Sequence, residues 1–222
     1  MSDTVLARPL ALERAADRAI HAAGLACGGA GAIAVVALAV LRRPEAVPAV
    51  AVYAAGLVAM LAASAAYHLA RGSRHRERLR RIDHAAIFVM IAGTYTPFTV
   101  HALAGAWAAG MTAALWTAAL LGAGSKLLLG RRFERFSVPA YLTLGWIVLL
   151  PADRLLGALD AATVWLLLGG GALYTLGAGV YLLRRMPYQT AVWHGMVLLA
   201  AACHYAAVLH GVVLTAAPLA GL

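Results

Sequence analysis

Seven apolar runs, separated by short clusters of charge, constrain this chain more than any other feature of it. They lie at residues 19–41, 48–70, 85–101, 107–129, 137–155, 162–183 and 192–216. A helix rising 1.5 Å per residue needs about 20 residues to cross a hydrocarbon layer roughly 30 Å thick, and the runs approach that length. Inside such a layer no water satisfies a backbone N–H or C=O, so only helices and closed barrels can span it. The runs are continuous rather than alternating and are about twice the ~10 residues of a barrel strand. The sequence therefore predicts an all-α, polytopic membrane protein, a single domain over residues 1–222 folded as a seven-transmembrane helix bundle. Of 222 residues, 63% are hydrophobic and 12% charged, where a soluble domain carries about a quarter charged.

The excess of base, 18 Lys and Arg against 9 Asp and Glu, does not point to nucleic acid. The basic residues stand at the ends of apolar runs, where they face lipid headgroups. Assigned alternately to the two sides, they divide into 15 and 3. The richer side holds Arg8, Arg14 and Arg18, six arginines from Arg71 to Arg81, Lys126 to Arg135, and Arg184 with Arg185; the poorer holds Arg42, Arg43 and Arg154. By the positive-inside bias the N-terminus is cytoplasmic and the C-terminus outside. Asp3, Glu13 and Asp17 among the first residues, with no short apolar run and cleavage site, argue against a signal peptide. Cys27 and Cys203 fall inside apolar runs and read as small buried hydrophobes. Gly24 with Gly28, and Gly169, Gly170, Gly171 and Gly177, permit close helix contact and imply no dimer. Pro151, Asp153 and Arg154 make the boundary between the fifth and sixth runs irregular. No internal repeat supports a transporter built from repeated halves.

Ionisable side chains are costly in lipid, so each is a functional candidate. Ser64 and His68 are four residues apart near the end of the second run, on one helix face. Asp83 and His84 open the third run, and His194 opens the seventh. With the N-terminus inside, His68, Asp83 and His194 share one depth near the cytoplasmic leaflet. Two imidazoles and a carboxylate at one level suit zinc, with Ser64 one turn deeper to orient a ligand or a water. Taken singly, each histidine is satisfied by an interfacial hydrogen bond, and Asp83 by a helix N-terminus or an arginine. His204, ten residues beyond His194, lies about 15 Å deeper and reads as a core or cavity residue. His101 and His210 fall near the outer face, and His75 in the arginine-rich loop. That loop serves as an interfacial anchor and, secondarily, as a site for anionic lipid. Pro97 should kink the third helix, with neighbouring hydroxyls satisfying the carbonyls it frees.

Three stretches carry a family resemblance: Ser64-Ala-Ala-Tyr-His68; Ile82-Asp83-His84-Ala-Ala-Ile-Phe88 with Ala92-Gly-Thr-Tyr-Thr-Pro-Phe98; and Ala191-Val-Trp-His194 through His204-Tyr205. In order and spacing they resemble the hemolysin III family of bacterial membrane proteins, which belongs with the progestin and adipoQ receptors and, more distantly, the alkaline ceramidases. The resemblance implies seven helices with the N-terminus inside, in the bacterial cytoplasmic (inner) membrane. It also implies a zinc site built from Ser-x-x-x-His on the second helix, Asp on the third and His-x-x-x-His on the seventh. Ser64, His68, Asp83 and His194 match those positions; Thr190 stands where the first histidine of the last pair belongs. His84, Gln189, His21 or water are the candidates to complete the shell.

The resemblance and the residues together set the functional expectations. One is a zinc-dependent hydrolase of a lipid amide or ester, or a regulator of membrane lipid homeostasis. In the hydrolase, His68 and His194 hold zinc, Asp83 is a ligand or the general base, and Ser64 stabilises the oxyanion or the ligand shell. Another is a non-enzymatic receptor or sensor with structural zinc. A pore-forming cytolysin lacks a ring of charges in the spans, and proton transport lacks an acid at mid-membrane. The expected partners are membrane lipids, one of them a substrate.

Overall fold

The computed structural model describes residues 3–70, 72–183 and 186–215, with side chains from Ala11 onward. Arg71, Arg184, Arg185, the Arg8 side chain and the outward C-terminus, all used in the orientation argument, lie outside the described residues. Among those described the chain is helical, with no strand. Helix α1 spans Asp3–Arg42, α2 Val47–Leu69, α3 Arg76–His101, α4 Gly105–Leu129 and α5 Glu134–Trp146. A short α6, Ala152–Ala158, precedes α7, Ala161–Leu182, and α8, Gln189–Val208, which continues as a π-helical segment Leu209–Leu214.

Over the described residues each apolar run lies mainly on helix. Five helical stretches of the described chain are long and apolar enough to cross a membrane: Ala11–Arg42, Pro44–Leu69, Gly105–Leu149, Ala161–Leu182 and Gln189–Leu214. Helix α3 falls outside that group: its first turns are charged, and the rest of it holds His84, Thr94, Tyr95, Thr96, Pro97, Thr99 and His101. The stretch Gly105–Leu149 contains two helices, not one. Gly130 breaks it at φ +55°, a conformation that favours glycine.

The side-chain contacts show that the chain turns back there. Glu134, at the start of α5, lies beside Arg80 at the start of α3 (Nη1 to Oε2, 2.5 Å). Farther along, Tyr141 donates to the His84 carbonyl, and the Tyr95 hydroxyl donates to the Gly145 carbonyl. Helix α5 therefore runs parallel to α3, and α4 antiparallel to both. Beyond α5, Arg154 stacks over the Trp107 ring near the start of α4, 5.0 Å from its centroid. The irregular stretch around Pro151 is the 3-10 turn Ile147–Leu149 followed by α6.

Sequential helices pack as neighbours from α1 to α4, α7 packs along α8, and α1 closes against α8. Lipid is as apolar as a protein interior, so this packing rests on close contact rather than on escape from water. Small residues provide it. The Phe88 ring of α3 lies where a Cβ on Gly122 of α4 would be, 2.5 Å away, and a Cβ on Gly24 or Gly28 of α1 would meet Leu198 or Leu61. Outside, large apolar side chains stand bare: Leu128 is 83% and Ile33 74% exposed. A chain with that surface is a multi-pass membrane protein.

Two expectations change in detail. Cys27 is exposed on the bundle surface rather than buried, while Cys203 is half-buried. Helix α3 runs through Pro97 without interruption. The residue freed by Pro97 is Gly93, four back, yet Thr94 and Thr96 donate to the Met90 and Ala92 carbonyls, each at 2.8 Å.

Candidate metal centre

Four side chains from three helices converge at the arginine-bearing end of the bundle. Asp17 and His21 are one turn apart on α1, His68 is in the last turn of α2, and His194 is in the second turn of α8. Their potential ligand atoms all lie within 4.8 Å of one another. The α1–α2 and α1–α8 contacts bring them together, and Gly24, one turn beyond His21, lets α8 approach through Leu198.

The Asp17 carboxylate organises the group. Its Oδ1 accepts from His194 Nδ1 at 2.7 Å and lies 3.7 Å from His21 Nε2; its Oδ2 lies 3.5 Å from His68 Nδ1. The rings crowd one another, with centroids 4.9 Å apart for His21 and His68, 4.5 Å for His21 and His194, and 4.3 Å for His68 and His194. Asp17 is 2% exposed. Four donors at the corners of a tetrahedron 2.0–2.1 Å from zinc would stand roughly 3.3 Å apart. Three imidazoles with ligand atoms within 4.8 Å could share such an ion, and a histidine that hands Nδ1 to the Asp17 carboxylate keeps Nε2 for it. The four residues form a group that could hold a metal ion.

The three histidines line a cavity of about 1320 Å³, whereas Asp17 backs them and does not reach it. Ser64 and Asp83 line the same cavity. Asp83 is buried, with Oδ2 3.4 Å from His84 Nδ1, and the other nitrogen of that ring lies 3.4 Å from Glu134 Oε1. Asp83 is thus near the cluster's cavity but outside the group of four.

Of the residues singled out in the sequence, the structure brings His68 and His194 together, and adds His21, one of the candidates left open there. Thr190 lines the cavity, and Gln189 is spent on the end of α7, donating to the Val180 and Tyr181 carbonyls at 3.0 and 2.7 Å. His204 lies deeper along the cavity, with Nε2 3.3 Å from the Leu167 carbonyl oxygen and its ring against Gly170. His210 pairs with Asp160 on the far side at 3.2 Å, and His75 is exposed in its loop. Asp17 is the residue that the sequence reading missed. Its signal was present: an acid four residues before a histidine, at the same end of the bundle as His68 and His194.

Around the cavity's charged end, Arg80 bonds both Glu77 and Glu134, while the fully buried Lys126 bonds Glu134 and Ser137, each at 3.0 Å. Hydrogen bonding from Arg80 holds the Glu77 carboxyl down at about 2. These contacts tie the ends of α3, α4 and α5 beside the histidine cluster.

The family model for "Haemolysin-III related" proteins matches residues 16–205. The chain belongs to that family. The match takes in Asp17, His21, His68 and His194, so the group of four lies within the part of this haemolysin-III-related chain that the family shares. Among curated relatives, the chain is 32% identical to the "Hemolysin-3 homolog" of Bacillus subtilis (strain 168) over 151 residues, 68% of this chain and 71% of the relative. It is 34% identical to the "Hemolysin-3" of Bacillus cereus over 158 residues, 71% of this chain and 72% of the relative.

Proposed function

We propose that this haemolysin-III-related chain is a zinc-dependent hydrolase of a membrane-lipid amide or ester, embedded in the bacterial cytoplasmic membrane. The observation that carries the reading is a cluster of three histidines on the wall of a large, mainly apolar cavity. At about 1320 Å³ it exceeds the roughly 300–1,000 Å³ of pockets for drug-sized ligands, and its walls suit an acyl chain. A purely structural metal would be sealed within the bundle, whereas this cluster faces space that a substrate can enter.

Seven crossings with the N-terminus inside fit this picture. The five long stretches make six, because Gly105–Leu149 holds both α4 and α5, and α3 adds the seventh. Helix α5 leaves the arginine-bearing end beside Arg80, and the chain after it reaches the other end beside Trp107. Arg14, Arg18, Arg76 to Arg81, Lys126 and Arg131 to Arg135 then lie at the cytoplasmic end of the bundle.

Within the site, His21, His68 and His194 would hold zinc, and Asp17 fixes the His194 ring through Nδ1. Bound there, zinc would supply Lewis acidity at neutral pH. Asp83 accepts the proton as water oxygen bonds to the carbonyl carbon. It returns that proton to the leaving amine or alcohol as the C–N or C–O bond breaks. Ser64 donates to the carbonyl oxygen while it carries charge. The products are a fatty acid and the rest of the lipid, and the only co-reactant is water.

The test is zinc content and hydrolysis on the detergent-purified protein, with wild type beside His68→Ala and His194→Ala. The reading expects near one zinc per chain and release of fatty acid from a lipid amide or ester, both lost in the two variants. Wild type that holds no zinc after re-addition, or hydrolysis that survives both substitutions, overturns it.

A further inference from the structure

The cavity has a second chemical feature besides the histidines. Its lining follows α3 from Arg76 to Phe98, 22 positions or roughly 33 Å of helix, more than the ~15 Å of one leaflet's hydrocarbon. At its charged end it is lined by five arginines, of which only two have a carboxylate partner among the described residues. Arg80 and Arg131 have Glu77 or Glu134 as partners. Arg76, Arg132 and Arg135 have no carboxylate partner among the described residues. Arg76 lies over the Tyr67 ring at 5.2 Å and Arg135 over Phe136 at 4.6 Å, and Arg132 is exposed.

We infer that these three guanidiniums bind the phosphate of an anionic glycerophospholipid whose acyl chain occupies the cavity. The inference rests on the hydrolase reading only in making that lipid its substrate class. Charge complementarity selects the lipid: a neutral amide lipid would leave three guanidiniums unpaired at the entrance, whereas a phosphate diester offers oxygens to more than one of them. Placement agrees. The Tyr67 ring that carries Arg76 is itself 4.7 Å, centroid to centroid, from the His68 ring. A headgroup held by Arg76 therefore leaves the glycerol ester carbonyls on the side of the histidine cluster, with the chain running on along α3 past Ser64 and His204.

The test uses the full chain in detergent and native mass spectrometry with phosphatidylglycerol as probe, phosphatidylcholine as its zwitterionic counterpart, and glycerophosphoglycerol as the same headgroup without chains. A guanidinium that donates to a phosphate is worth about tenfold or more in affinity, whereas one that only adds charge in detergent, away from an anionic bilayer, contributes little. Arg76→Gln/Arg132→Gln/Arg135→Gln is expected to lose at least tenfold in phosphatidylglycerol affinity. Arg14→Gln/Arg18→Gln/Arg78→Gln removes the same charge from positions outside the cavity and is expected to stay within about twofold of wild type. Phosphatidylcholine should bind weakly to all three proteins, and glycerophosphoglycerol should not displace the lipid. Equal losses in the two triple variants would mean general surface attraction and overturn the inference. So would equal affinity for the two lipids, which admits a neutral amide lipid, or displacement by the chain-free headgroup. Zinc content is measured on the same samples. A phosphatidylglycerol preference that persists in His68→Ala/His194→Ala separates this site from the metal chemistry, so either can fail without the other.

Discussion

The sharpest test of the metal centre compares Asp17, His21 and Asp83, because sequence and geometry rank them differently. In the structure Asp17 holds His194 by Nδ1 at 2.7 Å but does not line the cavity, so Asp17→Asn removes an orienting partner and keeps every imidazole. Loss of such a partner costs about 10–100-fold in metal affinity, roughly 1.4–2.8 kcal/mol. Loss of a direct donor costs more. Structural zinc binds with about 10–16 kcal/mol over four donors, so one donor is worth roughly 3 kcal/mol, a factor of a hundred or more. The expected order of zinc release is therefore His21→Ala, His68→Ala and His194→Ala first, Asp17→Asn next, and Asp83→Ala last. Asp83→Ala keeps its metal and loses hydrolysis. The assay is zinc retained by mass spectrometry after dialysis against chelators of graded strength. Monodisperse elution and an unchanged melting temperature show that each variant folds. If Asp83→Ala surrenders zinc as readily as His194→Ala while His21→Ala holds it like wild type, the four-residue cluster is not the metal site and the set His68, Asp83 and His194 replaces it.

Three further outcomes follow from the packing and the charge network. Gly122→Ala puts a Cβ 2.5 Å from the Phe88 ring and should destabilise by about 1–3 kcal/mol; Gly29→Ala, with nothing within 4 Å, should leave the thermal melting of the detergent-solubilised protein unchanged. Asp160 caps α7 by accepting from the Thr163 N–H at 3.1 Å, so Asp160→Ala should cost about 1 kcal/mol, read by the same melts, with Asp160→Asn retaining most of it. The Glu77 carboxyl is held at about 2 in the folded protein, below its ordinary 4.5. A depressed carboxylate stabilises above its unfolded value and loses that contribution as pH falls through the folded one. Melting temperature should therefore drop between about pH 5 and pH 2 more steeply in wild type than in Glu77→Gln, and parallel slopes would count against the Glu77–Arg80 tie.

The helical membrane fold was legible because its cause is local. A backbone in lipid has few options, and a continuous apolar run of about 20 residues selects one of them. The runs at 85–101 and 137–155 marked α3 and α5 as well, but hydropathy says nothing of which helices they pack against. Their place in the bundle rests on contacts distant in sequence, such as Arg80 with Glu134 and Tyr141 with the His84 carbonyl. His68 and His194 were legible as a pair because each stands at a run's boundary on the same side.

Asp17 escaped the same reasoning for a reason of boundary. The first apolar run begins at residue 19, which leaves Asp17 in the flanking segment with Glu13 and Arg18, where an acid reads as solvated. Helix α1 begins at Asp3, so the segment is helical through that point, and the i, i+4 spacing puts Asp17 on the face of His21 that packs on α2 and α8. This also gives the Thr190 position a physical meaning. A threonine there removes an imidazole one turn before His194 on α8, yet the cluster still counts three histidines, because α1 contributes His21. A metal shell is specified by where donor atoms converge, not by which helix carries them. On that argument Thr190→His adds a fourth imidazole on the cavity wall. It should restore zinc retention to His21→Ala without raising it in wild type, and retention unchanged by the second substitution would show that α8 cannot supply what α1 does.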